Sequence, residues 1–69
     1  MFITLTNSNP AFRGQKIAIR KDLIVTIHRN DAVVREDGTI EQVTFVFVPP
    51  HGTWEVAETL EEVMTLIGD

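Results

Sequence analysis

The chain contains no cysteine, so neither a disulfide nor a thiolate metal site can staple it. Its two histidines, His28 and His51, are too few for a zinc site without help from carboxylates. Ser8 is the only serine, and no pattern sets a histidine and an acid beside it. There is no glycine-rich phosphate loop. The carboxylates near the C-terminus are spaced like solvated charges rather than a paired acid and base. These absences point away from an enzyme, and no cofactor is expected. The apolar runs are far shorter than a membrane span. The start Met1-Phe2-Ile3-Thr4-Leu5 lacks the basic residues and long apolar core of a secretory signal. A soluble, cytoplasmic protein is expected, either cellular or encoded by a virus and acting in its host's cytoplasm.

With 69 residues, the chain is expected to form one domain, 1–69. A core of this size rarely supplies more than about 3–5 kcal/mol, so small folds usually carry a staple. Without disulfide or metal, oligomerisation is the staple that remains. The apolar fraction of 43% is that of an ordinary globular chain.

The formal charge is −4, which weighs against a nucleic-acid partner. The charges are segregated, however. Arg13, Lys16, Arg20 and Lys21 are four of the six basic residues. Glu55, Glu58, Glu61, Glu62 and Asp69 are five of the ten acids. Such a pattern permits one basic surface on an acidic protein, or simply two solvated faces.

The most telling segment is Val43-Thr44-Phe45-Val46-Phe47-Val48, ended by Pro49-Pro50. Phe45 and Phe47 point to one side, Val46 and Val48 to the other. Both faces are apolar, and the β-branched and aromatic content marks a strand. A short chain has little material to cover both faces. Val43, Phe45, Val46, Phe47 and Val48 are therefore candidates for a subunit interface.

Other strands follow from alternation. Phe2 to Thr6 and Lys16 to Arg20 are the first two, with Ile17 and Ile19 inward and Lys16, Ala18 and Arg20 outward. Leu23 to His28 is a third, followed by a polar break at Arg29-Asn30-Asp31. Ala32 to Arg35 and Ile40 to Val48 form a hairpin around Glu36-Asp37-Gly38-Thr39, since Asp-Gly between apolar runs is a strong hairpin signal. A short strand, Thr53 to Ala57, precedes a C-terminal helix over 59–67. Thr59-Leu60-Glu61-Glu62 has the form of a capping box, and Leu60, Val63, Met64 and Ile67 make one apolar stripe. The fold class is mainly β. Five to six short antiparallel strands and one helix suggest a strongly bent small barrel with the helix as a lid. Pairing the two open edges of such a barrel between subunits makes a ring.

On this strand plan the whole chain resembles the Sm-like small β-barrels. More narrowly, it is similar to a family of short ocean-metagenome proteins with an Sm-like fold attributed to cyanophages. Arg29-Asn30-Asp31 stands after a strand where that fold has a loop with an acid and an asparagine. His51-Gly52 stands in the late loop that usually holds Arg-Gly. The usual Sm fold opens with a helix, whereas this chain opens with a strand and closes with a helix. Leu5-Thr6-Asn7 and the segment from Val56 to Val63, with Glu58-Thr59 and Glu61-Glu62, are also similar to small flagellar and swarming regulators.

The Sm-like resemblance implies a homo-oligomeric ring that binds single-stranded RNA or DNA in a processing role. Lys16, Arg20, His28, Arg29, Asn30 and His51 would then hold phosphates and bases, with Trp54 beside His51. Each has a plainer reading: Lys16 and Arg20 as a solvated strand face, Arg29 and Asn30 as a turn, His28 as a structural histidine, Trp54 as core. The alternative function is a small phage or bacterial module that engages a protein partner without nucleic acid.

Overall fold

The computed structural model describes residues 1–68 and shows five antiparallel strands in two sheets with one C-terminal helix. β1 (Phe2–Thr6) and β2 (Lys16–Arg20) form a hairpin in which Ile3 faces Ile19 and Leu5 faces Ile17. β3 (Thr26–Val34), β4 (Ile40–Val48) and β5 (Gly52–Val56) form a three-stranded meander with β4 in the middle. Short 3-10 turns lie at Pro10–Phe12 and Lys21–Leu23. Helix α1 spans Leu60–Gly68.

The two sheets are stitched together where β1 runs past β5. An isolated bridge joins Asn7 to Val56. The Ala57 N–H donates to the Thr6 carbonyl at 2.9 Å, and the Ser8 N–H to the Glu55 carbonyl at 2.9 Å. The strand succession is thus β2-β1-β5-β4-β3, with β2 and β3 outermost. Among the described residues no pairing joins β2 to β3, so no closed barrel is formed.

The core lies between the sheets and under the helix. Ile3, Leu5, Ile19, Val46, Val48, Val56 and Val63 are buried there, with Ile17, Ile24, Ile27, Trp54 and Ile67 packed around them. The helix begins as its sequence dictates. The Thr59 N–H donates to Glu62 Oε1 at 2.9 Å, and the Glu62 N–H donates to Thr59 Oγ1 at 3.1 Å. Val63 is fully buried, whereas Met64, the third member of the expected stripe, is 53% exposed.

At the β3–β4 turn, Gly38 has φ +86°, a conformation other residues adopt at a steric cost. Asp37 Oδ1 accepts hydrogen bonds from the Thr39 N–H at 3.0 Å and the Thr39 hydroxyl at 2.7 Å, which sets the reversal.

Two expectations need correction. Leu23–His28 and Ala32–Arg35 are not separate strands. Lys21–Leu23 is a 3-10 turn, and β3 runs through Arg29-Asn30-Asp31 without a break. The polar segment is absorbed by a register shift: Asn30 faces Val43, but Val33 faces Glu41, so β3 carries one extra residue there. The second concerns Val43–Val48. This strand is central, with both backbone edges already paired, so it is not an edge available to a second subunit. Val43, Val46 and Val48 are buried within the chain's own fold. Of the five interface candidates, only the half-buried Phe45 and the exposed Phe47 reach the surface.

Candidate nucleic-acid interface

Alternation along β2 turns Lys16, Ala18 and Arg20 outward, and all three are exposed. Lys16 Nζ donates to Thr6 Oγ1 across the hairpin at 2.7 Å. Arg20 Nη2 contacts Asp22 Oδ2 at 2.8 Å, so its charge is matched two residues away.

On β3, His28 is exposed opposite Phe45, the two rings stacked with centroids 6.2 Å apart. Asn30 is exposed at the register shift, and its Oδ1 accepts from the Ala32 N–H at 3.0 Å. Arg29 behaves differently. It is half-buried, and its guanidinium donates to Asp31 Oδ1 at 3.1 Å, Thr44 Oγ1 at 3.0 Å and Gln42 Oε1 at 3.2 Å. Its hydrogen bonds hold β3 to β4, so it works as a structural tie. The strand period also turns Arg29 away from His28 and Asn30, which separates three residues that are adjacent in sequence.

His51 is exposed on the turn between β4 and β5, where the Pro49–Pro50 bond is cis. Its imidazole lies on the Trp54 indole, centroids 4.4 Å apart and planes 12° from parallel. Trp54 is half-buried, with its other contacts in the core. This pair is a flat aromatic surface with one wet side, the geometry on which a further planar group can stack.

Sequence reasoning missed the densest charged cluster. Arg35, near the tip of the β3–β4 hairpin, has a side chain only 13% exposed. Its Nε donates to Glu41 Oε2 at 2.7 Å and its Nη1 to Glu55 Oε1 at 3.0 Å. Glu41 also accepts from Arg13 Nη1 at 2.6 Å. Hydrogen bonds from Arg13 and Arg35 hold the Glu41 carboxyl below its ordinary range. Donating to Glu41 and Glu55 pushes the Arg35 guanidinium above its ordinary range. Arg35 and Glu41 flank the Asp-Gly turn and lie diagonally across the hairpin, a proximity that the sequence carries locally. Arg13 and Glu55 come from distant parts of the chain and carry no local signal.

Four of the six basic residues, Arg13, Arg20, Arg29 and Arg35, are thus ion-paired with carboxylates. Ser8 is buried, and its hydroxyl has no hydrogen-bond partner among the described residues. No group of three or more metal-ligating side chains occurs among the described residues. No helix there is long and apolar enough to cross a membrane. No protein-family profile, curated protein or solved structure matches the chain.

Proposed function

We propose that this is a non-enzymatic, Sm-like assembly protein whose bent, open five-strand arrangement forms rings by pairing β2 of one copy with β3 of the next, and which binds single-stranded RNA or DNA. The observation that carries the reading is the pair of outer strands, β2 and β3, at the two ends of one strand succession, with no strand among the described residues covering their far edges. An uncovered strand edge is a template for pairing with another chain. A heterologous contact between two different edges closes into a ring when the rotation permits. In this reading the stacked His51 and Trp54 receive a base, and Lys16 and Arg20 on β2 contact phosphates.

The test combines light scattering with fluorescence anisotropy of labelled single-stranded RNA and DNA at low and near-physiological salt. A stable oligomer whose binding falls steeply with salt supports the reading, because phosphate contacts release counterions. A Lys16→Glu/Arg20→Glu variant should then lose binding. Arg29 is left out of that variant because its loss would break the tie to Thr44 rather than a phosphate contact.

A second reading is favoured by the ion pairs. With all four arginines paired with carboxylates and a net charge of −4, few cations are free for phosphate. In that reading the module engages a protein partner. Absence of nucleic-acid binding at low salt would select it.

A further inference from the structure

A cleft of about 590 Å³ opens between the loop after β1 and the tip of the β3–β4 hairpin. None of the proposed nucleic-acid contacts lines it. Its apolar lining is Pro10 and Ala11 from the loop and Val34 from the hairpin, the last of these 69% exposed. The remainder holds two guanidinium groups, Arg13 and Arg35, and four carboxylates, Glu36, Asp37, Glu41 and Glu55. The cleft therefore has an excess of two negative charges. The guanidinium groups have no spare role there. Arg35 is occupied by Glu41, Glu55 and the Ser8 carbonyl, at 2.7, 3.0 and 3.4 Å. Arg13 is occupied by Glu41. Glu36 has no ion-pair partner among the described residues, and Asp37 bonds only the turn residue Thr39. Those bonds from Thr39 hold the Asp37 carboxyl below its ordinary range, so it is charged at neutral pH.

We propose that this cleft receives a lysine or arginine side chain presented by a peptide segment of a partner protein. The apolar lining suits the aliphatic stem of such a side chain, while its charged head meets the carboxylates of Glu36 and Asp37. A concave site lined by one sign of charge concentrates the opposite sign. A peptide is favoured over a free polyamine by the position of Val34. It is the last residue of β3, an outer strand, so the cleft adjoins an uncovered strand edge along which a peptide backbone can lie. A peptide there would occupy the β3 edge that the β2–β3 ring contact uses, so this proposal rests on the protein-partner reading and not on the ring.

The test is titration of the isotopically labelled protein with N-acetyl-tetralysine amide at low salt, followed by amide chemical shifts, with spermidine as a second probe. The expected shifts cluster at residues 9–13, 34–41 and 55. A Glu36→Gln/Asp37→Asn variant should bind the peptide about tenfold more weakly, the scale of losing two exposed ion pairs. Asn at 37 retains the oxygen that accepts from Thr39, so the turn survives, and a well-dispersed spectrum checks this. A Glu61→Gln/Glu62→Gln variant should bind as the parent does. Shifts that spread equally over α1, or affinity unchanged in Glu36→Gln/Asp37→Asn, overturn the proposal. So does spermidine binding at the cleft as tightly as the peptide.

Discussion

The hydroxyl of Thr44, fully buried in the middle of β4, donates to the Glu58 carbonyl at 2.6 Å and so ties the central strand to the segment that launches the helix. The same oxygen accepts from Arg29 at 3.0 Å, linking β3. The Glu58 carboxylate in turn accepts from the Thr6 N–H and hydroxyl, both at 2.8 Å. One polar chain thus connects β3, β4, the start of α1 and β1 across the junction of the two sheets.

Thr44→Val should therefore destabilise the protein by about 1 to 3 kcal/mol despite its near-identical shape. It strands a part-buried carbonyl and a guanidinium donor. Thr44→Ser, which retains the oxygen, should lose much less. Urea unfolding midpoints of the two variants check this, and equal losses would show that the hydroxyl contributes little.

Substitutions in β4 should divide by face. Val46 is fully buried, so Val46→Lys should abolish folding and Val46→Ala should cost roughly 2 kcal/mol. Phe47 is 39% exposed, and Phe47→Lys should leave a folded chain. Circular dichroism with light scattering separates unfolding from a change of assembly. A folded Val46→Lys protein would contradict the buried placement of β4.

Stability should fall with acid through Glu41. Its folded-state pKa is depressed below the ordinary 4.5 by hydrogen bonds from Arg13 and Arg35. The unfolded state therefore takes up the proton first as pH falls. The contribution is fully present above the unfolded value and is lost as pH drops through the folded one. Glu62 has the same sign, held low chiefly by the Thr59 N–H. Chemical denaturation across the carboxylate range should show Glu41→Gln less stable at neutral pH, with a flatter acid limb than the parent. Parallel limbs would remove Glu41 from the acid response.

Trp54 is the only tryptophan, so its fluorescence reports the His51 stack directly. His51→Ala should raise the emission, by removing a ring that quenches it, and shift it to longer wavelength, by wetting the indole face. If Lys16 and Arg20 act with this stack, the same variant should weaken nucleic-acid binding at low salt. An unchanged spectrum would show that the stack is not held in solution.

Local chemistry made much of this fold readable. Alternation placed β1, β2 and β5 to within about a residue, Pro49-Pro50 ended β4, Asp37-Gly38 marked the hairpin, and Thr59 with Glu62 marked the helix start. Each of these signals lies within a few residues of chain. The candidate site was less readable. The sequence could not show that Arg29 turns inward to Thr44 while its neighbours His28 and Asn30 stay exposed. Nor could it show that all four arginines are spoken for by carboxylates.

By itself, then, the sequence determined a small, mainly β, cysteine-free chain ending in a capped helix, because hydrophobic period and capping act over short range. The tertiary structure alone decided that β4 is central rather than at an edge, that β3 absorbs its polar residues in a register shift, and that Arg13, Arg35, Glu41 and Glu55 meet. Those outcomes depend on which strands become neighbours. That choice is made by burying apolar faces from distant parts of the chain against one another, and no local pattern encodes it.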